Sequence, residues 1–211
     1  MPGMIGGNSG SFVLAATTLL LHGWVDNDKA RIAIVPGAPT SAVTQALADR
    51  VKRSGKADIK VELRAESFHA PLPEIETTPA ADADLRIGQD LLASQPIAID
   101  FPHHAVQPLS PSEARSAERG YRPIAVERGP GGLSVTVSAD GGAPFRAVLD
   151  LSSPVGLAAP DLVGKGSVTV GAVPLRDVET SAGAQAVVGL YAFRHMRVIF
   201  DLAHDRIWVR A

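Results

Sequence analysis

Asp150 is the residue of this sequence whose position most favours chemistry. It follows the apolar residues 147–149 and precedes a loop of small residues, Leu151-Ser152-Ser153-Pro154. That pattern predicts a strand ending in a tight turn, with a carboxylate where the strand becomes a loop. Loops at strand ends often carry functional residues, because the rigid strand fixes their position. The simpler alternative is an aspartate that accepts hydrogen bonds only within its own turn.

A second group of candidates combines acids with histidines. Asp100, His103 and His104 together offer the chemistry of metal ligands. The same Asp-x-x-His spacing recurs at Asp201 and His204, however, and each occurrence follows a strand-like run. The repetition favours a structural interpretation, in which each aspartate holds a turn between two strands. We therefore expect no metal site and no cofactor.

Serine-rich and glycine-rich stretches provide two further candidates. Ser152 and Ser153 suggest a nucleophile, but His69 and His195 are the free histidines, and neither is placed by the sequence to activate a serine. The glycines of 129–132 are not followed by a helix carrying a lysine, which argues against a phosphate loop. Neither stretch therefore predicts a site by itself.

The composition indicates a folded protein with a sizeable core. Of the 211 residues, 45% are hydrophobic and 20% charged, the net charge is −2, and cysteine is absent. Disulfides and thiolate metal sites are thereby excluded, and no basic stripe supports nucleic-acid binding. The apolar run at 12–21 is too short for a membrane span and lacks the preceding Lys or Arg of a signal peptide, so we interpret it as a strand. The compartment stays open between the cytoplasm and export with a signal removed upstream.

Alternating apolar residues and frequent turn residues predict a β-rich chain. In the first half we expect a hairpin of strands at 17–25 and 30–35, a helix at 42–51 capped by Thr40 or Ser41, a strand pair within 58–70, a short helix within 85–92, and strands at 96–101 and 105–109. In the second half we expect strands at 121–127, 133–138, 145–150, 167–173, 187–193, 197–202 and 206–210. The polar segment 110–120 is typical of a linker or an exposed helix.

The two halves of the chain match each other, which indicates an internal duplication. Residues 85–108 match 186–209 at an offset of 101, and this alignment pairs Gly88 with Gly189, Asp100 with Asp201 and His103 with His204. Residues 31–47 match 146–162, and residues 71–77 match 174–180. Three blocks in the same order predict two copies of one β-rich unit.

The order of these motifs resembles that of retropepsin-like and pepsin-like aspartic peptidases. The second half has a strand entering the loop at 149–153, then Val187-Val188-Gly189, then the closing hairpin VIFDLAHDRIWV, with Tyr191 where the family often has an aspartate; the first half has counterparts at 34–38, 86–92 and 97–106. The resemblance implies an all-β fold of two pseudo-twofold-related, acid-protease-like (retropepsin-like) β-barrel lobes with a short helix in each. It places the lobes at 12–110 and 121–211, joined by a linker at 111–120.

The loops that would carry catalysis depart from the family pattern. The family brings one Asp-Thr-Gly loop from each lobe to a common axis, where two carboxylates share a proton. The two loops here are Val35-Pro36-Gly37 and Asp150-Leu151-Ser152-Ser153. Asp150 is thus the only surviving catalytic candidate.

The resemblance implies a peptidase-like protein that has lost catalysis and binds an extended peptide or protein segment between its lobes. Two alternatives stay open. One is an active aspartic endopeptidase that combines Asp150 with a second carboxylate from elsewhere or from a dimer partner. The other is an interaction domain without an open cleft. The sequence leaves open whether a flap covers the cleft. Residues 56–72 have the pattern of a hairpin that could form one in the first half, and the equivalent region 164–174 is shorter, so any flap should be asymmetric.

Overall fold

The protein is described by a computed structural model, which covers residues 12–53, 55, 57–63, 66–76, 83–129, 132–160, 162 and 164–210. The elements of the first half are β1 (Phe12–Ala15), β2 (Thr18–Val25), β3 (Asp28–Ile34), β4 (Ala42–Val43), α1 (Gln45–Arg53), β5 (Asp58–Leu63), β6 (Glu66–Pro71), β7 (Glu74–Ile75), β8 (Leu85–Ile87), α2 (Gln89–Ser94), β9 (Ile97–Asp100), β10 (Ala105–Pro108) and α3 (Pro111–Glu118).

The second half repeats most of these strands, but among its described residues no helix corresponds to α1. It contains β11 (Arg122–Ala125), β12 (Glu127–Gly129), β13 (Gly132–Ala139), β14 (Phe145–Asp150), β15 (Leu157–Ala159), β16 (Gly164–Lys165), β17 (Val168–Val170), β18 (Val173–Leu175), β19 (Glu179–Ala182), β20 (Val187–Gly189), a 3-10 helix (Leu190–Phe193), β21 (Arg197–Asp201), a second 3-10 turn (Leu202–His204) and β22 (Arg206–Arg210). Among the described residues, no helix is long and apolar enough to cross a membrane.

The strands form three sheets, which give an all-β fold of two curled lobes. The N-terminal lobe is an eight-stranded sheet in the order β6-β5-β2-β3-β8-β4-β7, with β1 paired to β2. The C-terminal lobe is a nine-stranded sheet in the order β16-β19-β15-β20-β14-β13-β17-β18, with β12 paired to β13. A five-stranded sheet, β10-β9-β21-β22-β11, draws strands from both halves and joins the lobes. The fold class predicted from the sequence is therefore confirmed, including a short helix in each half.

The internal duplication is visible in the strand pairing. In the N-terminal lobe β3 pairs in parallel with β8, and Ile34 lies opposite Ile87. In the C-terminal lobe β14 pairs in parallel with β20, and Leu149 lies opposite Val188. These pairs superimpose at the predicted offsets, 115 for the first strand and 101 for the second. Each offset is therefore confirmed in three dimensions.

The two lobes are related by a pseudo-twofold axis through the joining sheet. Where β9 pairs with β21, Ala98 lies opposite Ile199, and these two residues are each other's counterparts at the offset of 101. The flanking pairs, Ile97 with Phe200 and Ile99 with Val198, exchange under the same operation. The axis therefore passes between Ala98 and Ile199.

The match of 71–77 with 174–180 was wrong in register. The hairpin β5–β6 turns between Leu63 and Glu66, and its counterpart β17–β18 turns between Val170 and Val173. These hairpins superimpose at an offset of 107 (63 on 170 and 66 on 173) rather than 103. The match at 103 rests on Pro71 and Pro174, but a proline does not specify which residue lies opposite it in a hairpin.

Other differences from the sequence predictions are local. The run 12–21 is not one strand, because the chain reverses at Ala16, whose φ of 51° is left-handed. The predicted helix begins at Gln45, where Thr44 accepts hydrogen bonds from the first turn, so neither Thr40 nor Ser41 caps it. Residues 167–173 hold most of a hairpin rather than one strand, and 187–193 ends in a 3-10 turn. The segment 110–120 forms α3.

Candidate functional site

Asp150 is the last residue of β14 and is partly buried. Its Oδ1 accepts a hydrogen bond from the backbone N–H of Ser152 at 2.9 Å and another from the Ser152 hydroxyl at 2.5 Å. Its carbonyl accepts from the backbone N–H of Ser153 at 3.0 Å. The aspartate therefore stabilises its own turn, as the simpler interpretation of the sequence predicted. Its second oxygen, Oδ2, has no hydrogen bond within the described part of the chain.

The turn that contains Val35 has the same backbone hydrogen bond as the turn that contains Asp150. The N–H of Ala38 donates to the carbonyl of Val35 at 2.9 Å, which repeats the bond between Ser153 and Asp150. Both turns are also fixed by the glycine that follows the parallel strand. A Cβ on Gly88 would lie 2.5 Å from the carbonyl oxygen of Thr40, and a Cβ on Gly189 would lie 2.4 Å from that of Val155.

The two turns meet at the pseudo-twofold axis through Gly37 and Ser152. A Cβ on Gly37 would lie 2.2 Å from the backbone nitrogen of Ser152 and 2.5 Å from its Cβ. Since Gly37 and Ser152 are counterparts at the offset of 115, their contact lies on the axis. Thr17, in the turn between β1 and β2, donates its hydroxyl hydrogen to the carbonyl of Ser152 at 3.0 Å. The axis loops of the two halves are therefore in direct contact.

An open cavity of about 420 Å³ lies beside this contact and is called the axis cavity below. Its lining comes from both halves of the chain, namely Gly37, Gln89, Arg128, Gly129, Gly132, Leu133, Val148, Leu149, Asp150 and Leu151. Among the described residues of this lining, Asp150 is the only carboxylate and Arg128 the only cation. Val35, Pro36 and Ser153 are not among these residues, and Pro36 is buried.

Arg128 and Gln89 are held in place at the edge of the axis cavity. The Arg128 guanidinium pairs through Nε with the carboxylate of Asp205 and donates from Nη2 to the carbonyl of Leu202 at 2.6 Å. The Gln89 amide donates to the carbonyl of Pro36 at 3.1 Å. Both side chains are thus held in place while they line the axis cavity.

The lining of the axis cavity has no polar equivalent in the N-terminal lobe. Strand β1 is the counterpart of β12, because Leu14 pairs with Leu19 as Arg128 pairs with Leu133. Leu14 thus takes the place of Arg128, as Val35 takes the place of Asp150. The charged groups at the axis therefore belong to the C-terminal lobe alone.

The Asp-x-x-His pairs hold turns, as the sequence predicted. His103 Nδ1 lies 2.9 Å from Asp100 Oδ1, and His204 Nδ1 lies 2.8 Å from Asp201 Oδ1. His104 stacks on Phe12 instead, with ring centroids 5.3 Å apart. Burial raises the pKa of Asp100, but hydrogen bonds from His103 and the charge of the Arg197 guanidinium outweigh burial, so that its pKa lies below the usual value. No group of three metal-ligating side chains occurs among the described residues.

The sequence did not single out Arg128, Gln89 or Thr17. A signal for Arg128 is present in the sequence, since an arginine directly precedes the glycine-rich stretch 129–132, but that stretch by itself predicts only a turn between two strands. The predicted hairpin at 56–72 exists as β5 and β6, and its counterpart β17–β18 is shorter, as expected. Its tip, residues 64 and 65, lies outside the described residues, and none of the residues that line the axis cavity comes from its described part.

Comparison of the sequence with family models and with curated proteins finds no match.

Proposed function

We propose that this protein binds an extended peptide or protein segment at the axis cavity and does not hydrolyse it. The observation that carries the proposal is the contact of Gly37 with Ser152, because it sets the valine turn against the aspartate turn at the axis. The arrangement resembles that of a two-lobed aspartic peptidase whose first aspartate is replaced by a valine. The protein is then a peptidase-like pseudoenzyme.

The absence of turnover follows from the chemistry of the carboxylate pair. In aspartic peptidases one carboxylate acts as a general base on water while its protonated neighbour polarises the scissile carbonyl. Val35 has no ionisable group, and the described lining of the axis cavity provides no carboxylate besides Asp150. Removal of one member of such a unit typically costs several orders of magnitude in rate.

Peptide binding follows from the groups that remain at the axis cavity. Asp150 Oδ2 offers an acceptor for a backbone N–H, and the Gln89 amide and Arg128 guanidinium offer donors for carbonyl groups. Gly129 and Gly132 have no side chains and open space where one would lie, so a second backbone can approach their main chain closely. A volume of about 420 Å³ suits one or two amino-acid side chains with their backbone.

The test combines binding and cleavage on the same peptides. A fluorescent peptide library is screened against the purified protein by anisotropy, and each binder is then incubated at pH 4 and pH 7 and examined by mass spectrometry. We expect saturable binding without cleavage. The variant Gln89→Leu, which introduces the residue found at the counterpart position Leu190, and the variant Asp150→Asn should each weaken binding about tenfold, as expected for the loss of one or two directed hydrogen bonds. Asp58→Asn, on an exposed strand, is the matched control.

The outcomes separate this proposal from the alternatives. Cleavage that disappears in Asp150→Asn would overturn the proposal in favour of an active aspartic endopeptidase. In that case analytical ultracentrifugation at assay concentration would distinguish a second carboxylate within the chain from one supplied by a dimer partner. Binding that survives both variants would move the peptide site away from the axis cavity and favour an interaction domain without a cleft.

A further inference from the structure

A second cavity lies beside the turn between β21 and β22 and shares no lining residue with the axis cavity. It occupies about 380 Å³ between the end of α2, the helix α3 and the turn between β21 and β22. The polar side chains in its wall are mainly basic, namely Arg115, His204 and Arg206, together with the single acid Asp201. The remaining wall is mostly small and apolar, with Ala114 and Pro96 among its residues.

The two arginines of this cavity are not neutralised by carboxylates. Within the described part of the chain, neither Arg115 nor Arg206 forms an ion pair, and Arg206 lies over the ring of Trp208 at 5.8 Å. The carboxylate of Asp201 is occupied by His204, whose Nδ1 lies 2.8 Å from both of its oxygens. The described wall of the cavity therefore holds two arginines and one carboxylate, which lies opposite Arg206 in the β21–β22 pair, and the Asp201–His204 pair leaves His204 Nε2 directed away from that carboxylate.

The pseudo-twofold axis relates this cavity to a smaller one of about 170 Å³, whose lining includes Asp100, Ala105 and Arg197. In the first copy Asp100 pairs with both His103 and Arg197, so that an arginine covers the aspartate. At the offset of 101 the counterpart of Arg197 is Pro96, which has no charge and a short ring. Asp201 therefore lacks the arginine that its counterpart has, and the space is bordered instead by arginines that are free to bind a ligand.

We propose that this cavity binds a small organic anion, with a carboxylate or phosphate head held by Arg115 and Arg206 and an apolar body against Ala114 and Pro96. Guanidinium groups bind both kinds of oxyanion through charge-assisted, frequently bidentate hydrogen bonds. His204 Nε2 provides a third polar contact at the same end. This site is separate from the axis cavity and does not depend on peptide binding there.

The experiment titrates the intact protein with four probes by isothermal calorimetry at low ionic strength. Acetate and inorganic phosphate carry the head alone, whereas benzoate and phenyl phosphate add an apolar body. We expect saturable binding, tighter for the two aromatic probes, and weaker binding as salt is raised. The comparison of benzoate with phenyl phosphate then identifies the preferred head.

Variants assign the binding to this cavity. Arg115→Ala and Arg206→Ala should each weaken binding of the best probe about tenfold, as expected for the loss of a charge-assisted hydrogen bond, and the double variant should abolish it. Arg31→Ala, an exposed arginine on β3, removes the same charge elsewhere and should change nothing. The proposal is overturned if no probe binds below 10 mM, if the double variant binds normally, or if Arg31→Ala weakens binding equally. All substituted side chains are exposed, so thermal unfolding of each variant should match that of the parent.

Discussion

The contact between Gly37 and Ser152 predicts a large effect from the smallest possible side chain. In Gly37→Ala the new Cβ would lie 2.2 Å from the Ser152 nitrogen, whereas ordinary contacts begin at 3.4 Å. The loops must therefore move apart by about 1 Å. Overpacking typically costs about 1–3 kcal/mol, and we expect a value near 3 because the obstructing atoms belong to backbone that cannot rotate away. For a chain of this size the midpoint of thermal unfolding should fall by roughly 6–12 °C.

The measurement is urea unfolding followed by tryptophan fluorescence, since each half of the chain contains one tryptophan, Trp24 and Trp208. Gly129→Ala is the matched control, because a Cβ there would meet no atom closer than 3.9 Å. Its free energy of unfolding should stay within about 0.5 kcal/mol of the parent. Combining Gly37→Ala with Ser152→Gly should restore only part of the loss, since the backbone nitrogen that obstructs the new methyl group remains.

The refuting result is an equal effect of the two alanines. If Gly37→Ala were as mild as Gly129→Ala, the axis loops would not touch, and the opposition of Val35 to Asp150 would lose its basis. Peptide affinity should also fall in Gly37→Ala, because the loops that border the axis cavity separate. A stability loss without a change in peptide affinity would locate the peptide elsewhere.

Three further perturbations test the contacts that hold the site. Thr17→Val should lower the free energy of unfolding by about 1 kcal/mol, because the Ser152 carbonyl loses the hydrogen bond from the Thr17 hydroxyl. Thr169→Val is the control, and both variants are measured by urea unfolding. Equal losses would contradict a stabilising role for the Thr17 hydrogen bond. Ser41→Ala should lower the free energy of unfolding by about 1–3 kcal/mol, because the buried Ser41 hydroxyl donates to Asp90 and accepts from the N–H of Gly88. A loss of less than about 0.5 kcal/mol would contradict this. The pKa of Asp100 is lowered in the folded protein, so its contribution to stability is complete above the unfolded pKa of 3.8 and is lost as the pH falls through the lower folded pKa. Asp100→Asn should remove this acid-dependent loss of stability, measured by urea titrations between pH 2 and 5. The control Asp58→Asn should keep it.

The strand and turn pattern could be predicted from the sequence because it is local. Alternation of apolar residues reports which face of a strand is buried, and turn residues report where the strand ends. The reversal at Ala16 was not predictable in this way, because no glycine, proline or asparagine marks it. The pairing of Ala15 with Thr18 requires a tight turn, in which Ala16 takes a left-handed conformation within an apolar run. Strand pairing there overrides the preference of the local sequence for a continuous strand.

The sequence also located Asp150 but not its surroundings. The repeat identified Val35 as the counterpart of Asp150 from the sequence alone, since a match at fixed offset needs no structure. The lining of the axis cavity needs strands that lie far apart in the chain, and Gln89 reaches it from the other half. No periodicity encodes that proximity, so Arg128 and Gln89 became recognisable as site residues only through the fold.

The pseudo-twofold symmetry separates the residues that hold the fold from those that carry chemistry. Positions that match between the copies, such as Gly88 with Gly189, make the same contact twice and are explained by the fold. Positions that differ cannot be required by the shared fold, since each copy folds with its own residue. Charged differences between the copies are frequent, Arg86 with Val187 among them, and two of them lie at the places described above: Asp150, whose counterpart is Val35, at the axis, and Arg197, whose counterpart is Pro96, at the joining sheet. Each of these two places borders a cavity, and these are the cavities where the two proposed ligands would bind.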